Sequence, residues 1–425
     1  MRKKQTAFYS SLITHHSSLV PMLYPGLLTQ ALEDKREDFT SFDRAWRDDV
    51  REYARRLLML GGRTSADVRA ATHLQPAPGA LPSDELEHSG SMVIEFAERW
   101  RNHEEARRWA VEALRGRVTF AADGSQLLPG REISMPVAAV QVAWFENPHT
   151  LEGNYEKQAD FSIISPAEFL EGTDDHIGAD TVVGFRRFKL EIEVLKKFLL
   201  RRKGWRERGE RVPVAFFDGS LLISFGLPQT KIQDAYVGSI IELVQLSRET
   251  EVPVVGFIDQ SYARDLVRLL DTLDENGARR SHSLYDAQLL SAGTDGARPP
   301  LESWGMRTTF CYCLREGLSK YFVDERGQPL IGFTYLQTTG TGTPARLDVP
   351  SWVYEAGLLE DVLDAVRAEC VCGLGYPYAI ETADAAAVIT SRDREQFLRL
   401  VQEFAEKESF SFRVSRKAAS KVRRR

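Results

Sequence analysis

Val118-Thr119-Phe120-Ala121-Ala122-Asp123-Gly124-Ser125 and Val214-Ala215-Phe216-Phe217-Asp218-Gly219-Ser220 read alike: each is an apolar, strand-like run closed by Asp-Gly-Ser. A buried strand stops at a turn, and Asp-Gly is favourable turn chemistry. Either segment alone is a strand followed by a turn. Together they place two carboxylates where a rigid scaffold meets solvent. Two such acids drawn together from distant parts of a chain repel each other unless a cation lies between them. Hard divalent cations prefer carboxylate oxygens.

Between and after these runs the hydrophobic period changes repeatedly. The spacing predicts a long helix over 180–202, with Phe188, Ile192, Leu195 and Leu199 on its core face. Strands are expected at 212–217 and 252–258, and helices at 232–247, 262–272 and 283–291. Further strands are expected within 132–144 and at 308–314, 329–337 and 345–349, and helices at 358–367, 383–389 and 392–406. This alternation marks an α/β body. The region 22–115 reads as helical, with 43–60 and 91–114 as its main helices and the Pro-, Gly- and Ser-containing stretch 76–91 as a linker. Met1–Pro21 reads as a disordered extension or a mis-assigned start, and 413–425 as a basic tail.

The 425 residues are 43% hydrophobic and 27% charged, enough for a sizeable core. No run approaches the length of a membrane span. A net charge of −6 excludes a globally basic nucleic-acid binder but not a local basic groove. Arg186, Arg187, Lys189, Lys196, Lys197, Arg201, Arg202 and Lys203 crowd one helix and form either such a groove or a solvated face. The four cysteines stand as Cys311-Tyr-Cys313 and Cys370-Val-Cys372. They are too few for a disulfide framework and too closely spaced for the common zinc pattern. Each pair sits in an apolar stretch expected to be a strand with buried thiols, and the expected compartment is the reducing cytoplasm.

A metal site would need a third acid. The long helix offers Glu191, beside the apolar stripe, and Glu193, further round; either could equally pair with neighbouring basic residues. Other candidates are Asp259 and Ser261 after the 252–258 strand, where each could cap the next helix. Arg264 could face a phosphate, and Asp286 could be a cap or a surface acid. Tyr376, in Gly375-Tyr376-Pro377, precedes a helix carrying Asp384.

The order of these segments resembles that of the NurA nuclease family. It runs from a strand ending at Asp123, through an Arg187-x-x-x-Glu191 helix, to Phe217-Asp218-Gly-Ser-Leu221. Then follow Val255-Gly-Phe-Ile-Asp-Gln-Ser261-Tyr-Ala-Arg264, Asp286-Ala-Gln-Leu-Leu, Pro344-Ala-Arg-Leu-Asp-Val-Pro350 and Gly375-Tyr-Pro377. The resemblance runs from about residue 118 onward and implies an RNase H-like mixed sheet flanked by helices over 116–412, behind a helical N-terminal extension. It implies a Mn²⁺- or Mg²⁺-dependent 5′-to-3′ exonuclease and single-strand endonuclease. Such an enzyme would act in DNA end resection and double-strand break repair, as a homodimer working with a HerA-type hexameric translocase. By motif position, Asp123, Glu191 and Asp218 are the metal-binding acids, with Asp123 between two ions, and Tyr376 belongs to the catalytic set. Arg187 and Arg264 would hold DNA phosphates. The family often has a His where this chain has Asp384, so Asp384 is either a further metal ligand or the mark of a lost His. The second alternative would make the chain a catalytically weak DNA-end binding or regulatory subunit. A metal-dependent phosphatase would need an Asp-x-Asp nucleophile, which neither Asp-Gly-Ser supplies.

Overall fold

The computed structural model describes residues 24–130, 133–171, 178–222, 231–274, 281, 283–293, 298–317 and 321–411. The expected N-terminal extension and basic C-terminal tail lie outside them. The chain divides into two units, Met1–Asp48 and Asp49–Arg425. In the first, α1 (Pro25–Asp34) buries no residue, and Tyr24, Leu27 and Leu28 are exposed. The helix α2 (Arg36–Leu60) follows, with Val50, Tyr53, Leu57 and Leu60 buried.

The second unit continues with α3 (Ser65–Thr72), β1 (Gly79–Pro82), α4 (Glu85–Ser89), β2 (Val93–Ile94) and α5 (His103–Leu114). The central run is β3 (Thr119–Leu127), β4 (Ala138–Asn147), β5 (Glu156–Ile164), α6 (Pro166–Glu171), α7 (Ala179–Arg202), β6 (Val214–Asp218), α8 (Lys231–Thr250) and β7 (Val254–Ile258). Next come α9 (Asp265–Leu273), α10 (Asp286–Ser291), β8 (Arg307–Thr308), β9 (Cys311–Leu314), β10 (Ile331–Leu336) and β11 (Ala345–Pro350). The chain closes with α11 (Ser351–Glu355), α12 (Leu359–Cys372), α13 (Tyr378–Ala387) and α14 (Ser391–Lys407).

One 11-stranded sheet collects the strands in the order β1-β9-β10-β11-β7-β6-β3-β4-β5, with β8 paired to β10 and β2 to β8. Strands β3, β4 and β5 form an antiparallel meander, while β6 lies parallel to β3 and β7 parallel to β6. Parallel neighbours need a crossover, and α7 and α8 supply the two helical ones. A three-strand meander extended by two parallel strands beside its first strand is the RNase H-like arrangement. Alternating side chains on the central strands face opposite layers. Phe216, Val255 and Phe257 pack with Val362, Leu363 and Val366 of α12. Phe120 instead stacks on Phe198 of α7, ring centroids 4.4 Å apart.

Several expectations are corrected. The region expected to be helices joined by a linker contributes two strands. Its supposed linker carries β1, which pairs with β9, and its second helix starts only at His103, after β2. Short strands next to prolines are decided by the partner that accepts them, not by local pattern. The strand β5 was not anticipated: it is an edge strand, mostly exposed, so its Glu156-Lys-Gln-Ala-Asp start has no apolar alternation. The Cys370 pair lies on α12, not on a strand, so Cys370 is buried while Cys372 is exposed. A short apolar run has no period that separates a buried helix from a strand.

Candidate metal centre

The first Asp-Gly-Ser is not a turn. Strand β3 runs through it, pairing Asp123 with Ala143, Gly124 with Val142 and Ser125 with Gln141 of β4. On its other edge β3 pairs with β6 only as far as Ala122 opposite Phe217. Asp123 and Asp218 are therefore the next residues in register, at the point where β3 outruns the end of β6. Beyond it the Gly219 N–H donates to the Phe257 carbonyl at 3.1 Å. The Ser220 hydroxyl donates to Asp348 Oδ2 of β11 at 2.5 Å. A Cβ on Gly256 would lie 2.7 Å from the Gly219 carbonyl oxygen, so the glycine lets this loop cross β7 closely.

The helix α7 packs over β3 and lowers Glu191 onto this junction. A Cβ at Gly124 would stand 2.5 Å from Glu191 Oε1 and 2.7 Å from Arg187 Cγ. The bare backbone of Gly124 is what allows the carboxylate in. Arg187 Nη1 donates to the Gly124 carbonyl at 3.0 Å, which fixes the helix to the strand. Its Nε stands 3.5 Å from Glu191 Oε1, an ion pair without a hydrogen bond, so both atoms are buried with no hydrogen-bond partner. Glu193 faces outward and pairs with Lys196 at 3.2 Å. Glu191 is thus the acid at the junction. The basic stripe of α7 is partly consumed internally: Lys196 also pairs with Glu242, and Arg201 and Arg202 clamp the buried Glu146.

From the other side α13 brings Asp384, and the turn before it brings Tyr376. The Tyr376 hydroxyl donates to Asp218 Oδ1 at 2.7 Å, and its ring meets Phe257 edge-on at 5.0 Å. Glu369 of α12 positions this arm. It accepts the Thr119 hydroxyl of β3 at 2.7 Å and the Ala379 N–H at the start of α13 at 2.8 Å. Sequence reasoning passed over Glu369, which carries no motif of its own.

The electrostatics follow from this crowding. Burial pushes Asp123 up to about 6, and the charges of Asp218 and Asp384 add to it. Burial pushes Glu191 up to about 7; Arg187 opposes, while Asp123 and Asp218 reinforce. Asp218 is also raised by burial and by Asp384, against the hydrogen bond from Tyr376. The Tyr376 hydroxyl is pushed well above its usual range by burial and by Asp218, so it stays a donor at neutral pH. Carboxylates that raise one another in this way are relieved by a bound cation.

The donor set fits a hard divalent ion: it is all oxygen, and Glu191 Oε1 is buried with no hydrogen-bond partner. Among the described residues, no group of three or more His, Cys, Asp or Glu side chains stands in a ready-made metal-binding arrangement. The acids converge without closing on one point, with Tyr376 engaging Asp218 and Arg187 engaging Glu191.

The chain contains a NurA domain over residues 117–389. It belongs to the NurA family. The domain covers the meander, the parallel strands, α7, and the arm with Tyr376 and Asp384. Among solved structures, the chain aligns with the crystal structure of NurA with manganese at 10% identity and a TM-score of 0.37, covering 71% of this chain and 95% of that one. It aligns with the catalytic domain of human endonuclease V at 13% identity and a TM-score of 0.31, covering 73% and 92% respectively. The family match, not these overlaps, carries the assignment. The comparison with curated proteins returned no match.

The remaining candidates fall elsewhere. Arg264 is committed to backbone carbonyls: its Nε donates to Leu284 at 3.0 Å, and its Nη2 donates to Ser281. Asp286 is neither a surface acid nor a cap of its own helix. It is fully buried and accepts the Leu266 and Val267 N–H groups at 3.1 and 3.0 Å, capping α9 from α10. That cap replaces the ones expected from Asp259 or Ser261. No described helix is long and apolar enough to cross a membrane.

Proposed function

We propose that this NurA family chain is a Mn²⁺- or Mg²⁺-dependent deoxyribonuclease, with 5′-to-3′ exonuclease and single-strand endonuclease activity. Its setting would be cytoplasmic DNA end resection and break repair, as a homodimer partnered by a HerA-type hexameric translocase. The observation that carries the nuclease reading is the meeting of Asp123, Asp218 and Glu191 where β3 outruns β6. The partner, polarity and dimer rest on family membership alone.

Asp123, Asp218 and Glu191 would hold the metal, with Asp384 completing the set at the rim. Bound there, divalent metal supplies a water deprotonated near neutral pH and a counter-charge for the leaving oxygen. Asp123, which follows the last β3–β6 pair in register, would be one of the carboxylates holding that metal. Tyr376, held neutral, donates to Asp218 and fixes its orientation, and its ring offers a face to a base. Arg187 is anchored to Gly124 and turns the rest of its guanidinium toward a phosphate. Arg264 is a weaker phosphate contact, because its Nε and Nη2 are already engaged.

The test is degradation of linear DNA in Mn²⁺ against EDTA. Asp123→Ala and Asp218→Ala should each abolish the metal-dependent activity with folding intact. Full activity in both variants would sink the assignment. Asp384 in the position where the family often has His favours a second reading, a DNA-end binding subunit with weak catalysis. Wild-type protein that binds DNA ends but shows no Mn²⁺-dependent cleavage would favour it.

A further inference from the structure

The space beside Asp218 does not end at the carboxylates. A cleft of about 840 Å³ runs from Asp218 past Ser220 and the loop after β7 to Arg268 on α9 and Arg315 after β9. Its arginines do different work. Arg315 grips the buried Asp265 with two hydrogen bonds, 3.0 and 2.6 Å. Arg346, 1% exposed, holds Asp265 and Asp348 at 2.8 and 2.7 Å, and lies over the Phe333 ring at 3.9 Å, its Nη2 left without a hydrogen-bond partner. Among the described residues Arg268 pairs with Glu316, at 3.1 Å, and both side chains are well exposed. A surface pair of this kind contributes little and exchanges readily. Tyr262, which lines the same cleft, is 71% exposed, while its ring meets Tyr285 edge-on at 5.2 Å. That contact fixes the ring and leaves its face open.

An oriented aromatic and an exchangeable cation lining one groove that ends at Asp218 form the arrangement that takes single-stranded nucleic acid: bases stack and phosphates pair. We infer that this cleft is the track for single-stranded DNA leading to Asp218. One base stacks on Tyr262, and a backbone phosphate displaces Glu316 from Arg268. The buried Arg346 adds positive charge to the lining of the cleft. The identity of the strand as DNA rests on the nuclease reading above.

The test is fluorescence anisotropy of the full-length protein with a labelled oligothymidylate in EDTA, across a salt series. Tyr262→Ala should raise Kd roughly 5- to 150-fold, and Tyr262→Trp should preserve it. Arg268→Ala should weaken binding evenly across sequences and reduce the salt slope by about 0.7. Wild-type Kd and salt slope in both alanine variants would overturn the track. Tighter binding of the RNA of the same sequence would overturn its assignment to DNA. Wild-type protein that cleaves no DNA in Mn²⁺ would instead sink the nuclease reading, and binding in EDTA does not depend on it.

Discussion

Glu191 sits beneath Gly124 with its charge opposed by two other acids and balanced by one imperfectly aligned arginine. Glu191→Gln should therefore raise the stability of the metal-free protein above about pH 7, where the wild-type carboxylate must ionise, by about 1–3 kcal/mol. It should also remove most of the stabilisation that Mn²⁺ confers on the wild type. Thermal unfolding in EDTA and in Mn²⁺ checks both, and a Gln variant less stable than wild type in EDTA would contradict the account. Gly124→Ala is the complementary steric test. Its methyl would collide with Glu191 and Arg187, so DNA degradation should fall by about 100-fold. The accompanying loss of stability should be only about 1–3 kcal/mol, measured by denaturant unfolding. In the sequence both positions were visible as residues, but Gly124 read as part of a turn. Nothing local says that β4 continues to pair while β6 has stopped.

At the scale of elements, two buried carboxylates hold the supports of the site. Glu369 joins α12, the start of α13 and β3, and Glu369→Ala leaves the Ala379 N–H and the Thr119 hydroxyl unpaired. The expected cost is about 2–5 kcal/mol in a urea melt, with reduced nuclease activity because the arm bearing Asp384 loosens. Asp286 caps α9 from outside, and burial together with Asp265 pushes it up to about 6. A folded-state value above the unfolded one means that the group's stabilisation is complete below about pH 4 and is lost as pH rises toward 6. The stability difference between wild type and Asp286→Asn should therefore shift against wild type across that window. A flat difference would show that Asp286 does not titrate there. The helices α7 and α8 and the strands β6 and β7 are close to expectation because their periods are strong. The strands β1, β2 and β5 are not, because short or edge strands take their conformation from a neighbour.

At the scale of the whole molecule, the second unit is a single sheet whose centre, β3, β6 and β7, is covered on both faces. Its edge strand β5 is largely exposed. Amide hydrogen exchange should follow this gradient, slowest in β6 and β7 and fast in β5. In the first unit α1 buries nothing, and a short helix with no buried face is marginal in water, so its amides should exchange fast as well. Protection of α1 equal to that of β7 would mean that a partner covers it in solution. The exposed Tyr24, Leu27 and Leu28 give such a partner an apolar surface.

The sequence by itself determined the α/β alternation, the two Asp-Gly-Ser strands, the Arg187-x-x-x-Glu191 helix and the family these motifs belong to. All of these are carried by local period and spacing. Only the tertiary structure decided that the first Asp-Gly-Ser is mid-strand, that Glu191 and not Glu193 meets the aspartates, and that Glu369 and Asp286 are internal ties. The reason is physical. A register between strands, the depth of a helix over a sheet and the burial of a charge are set by partners far away in the chain, and no local pattern encodes them. Asp123 and Asp218 began as two turns read alike; the fold makes one a strand residue and the other a strand end, adjacent in register.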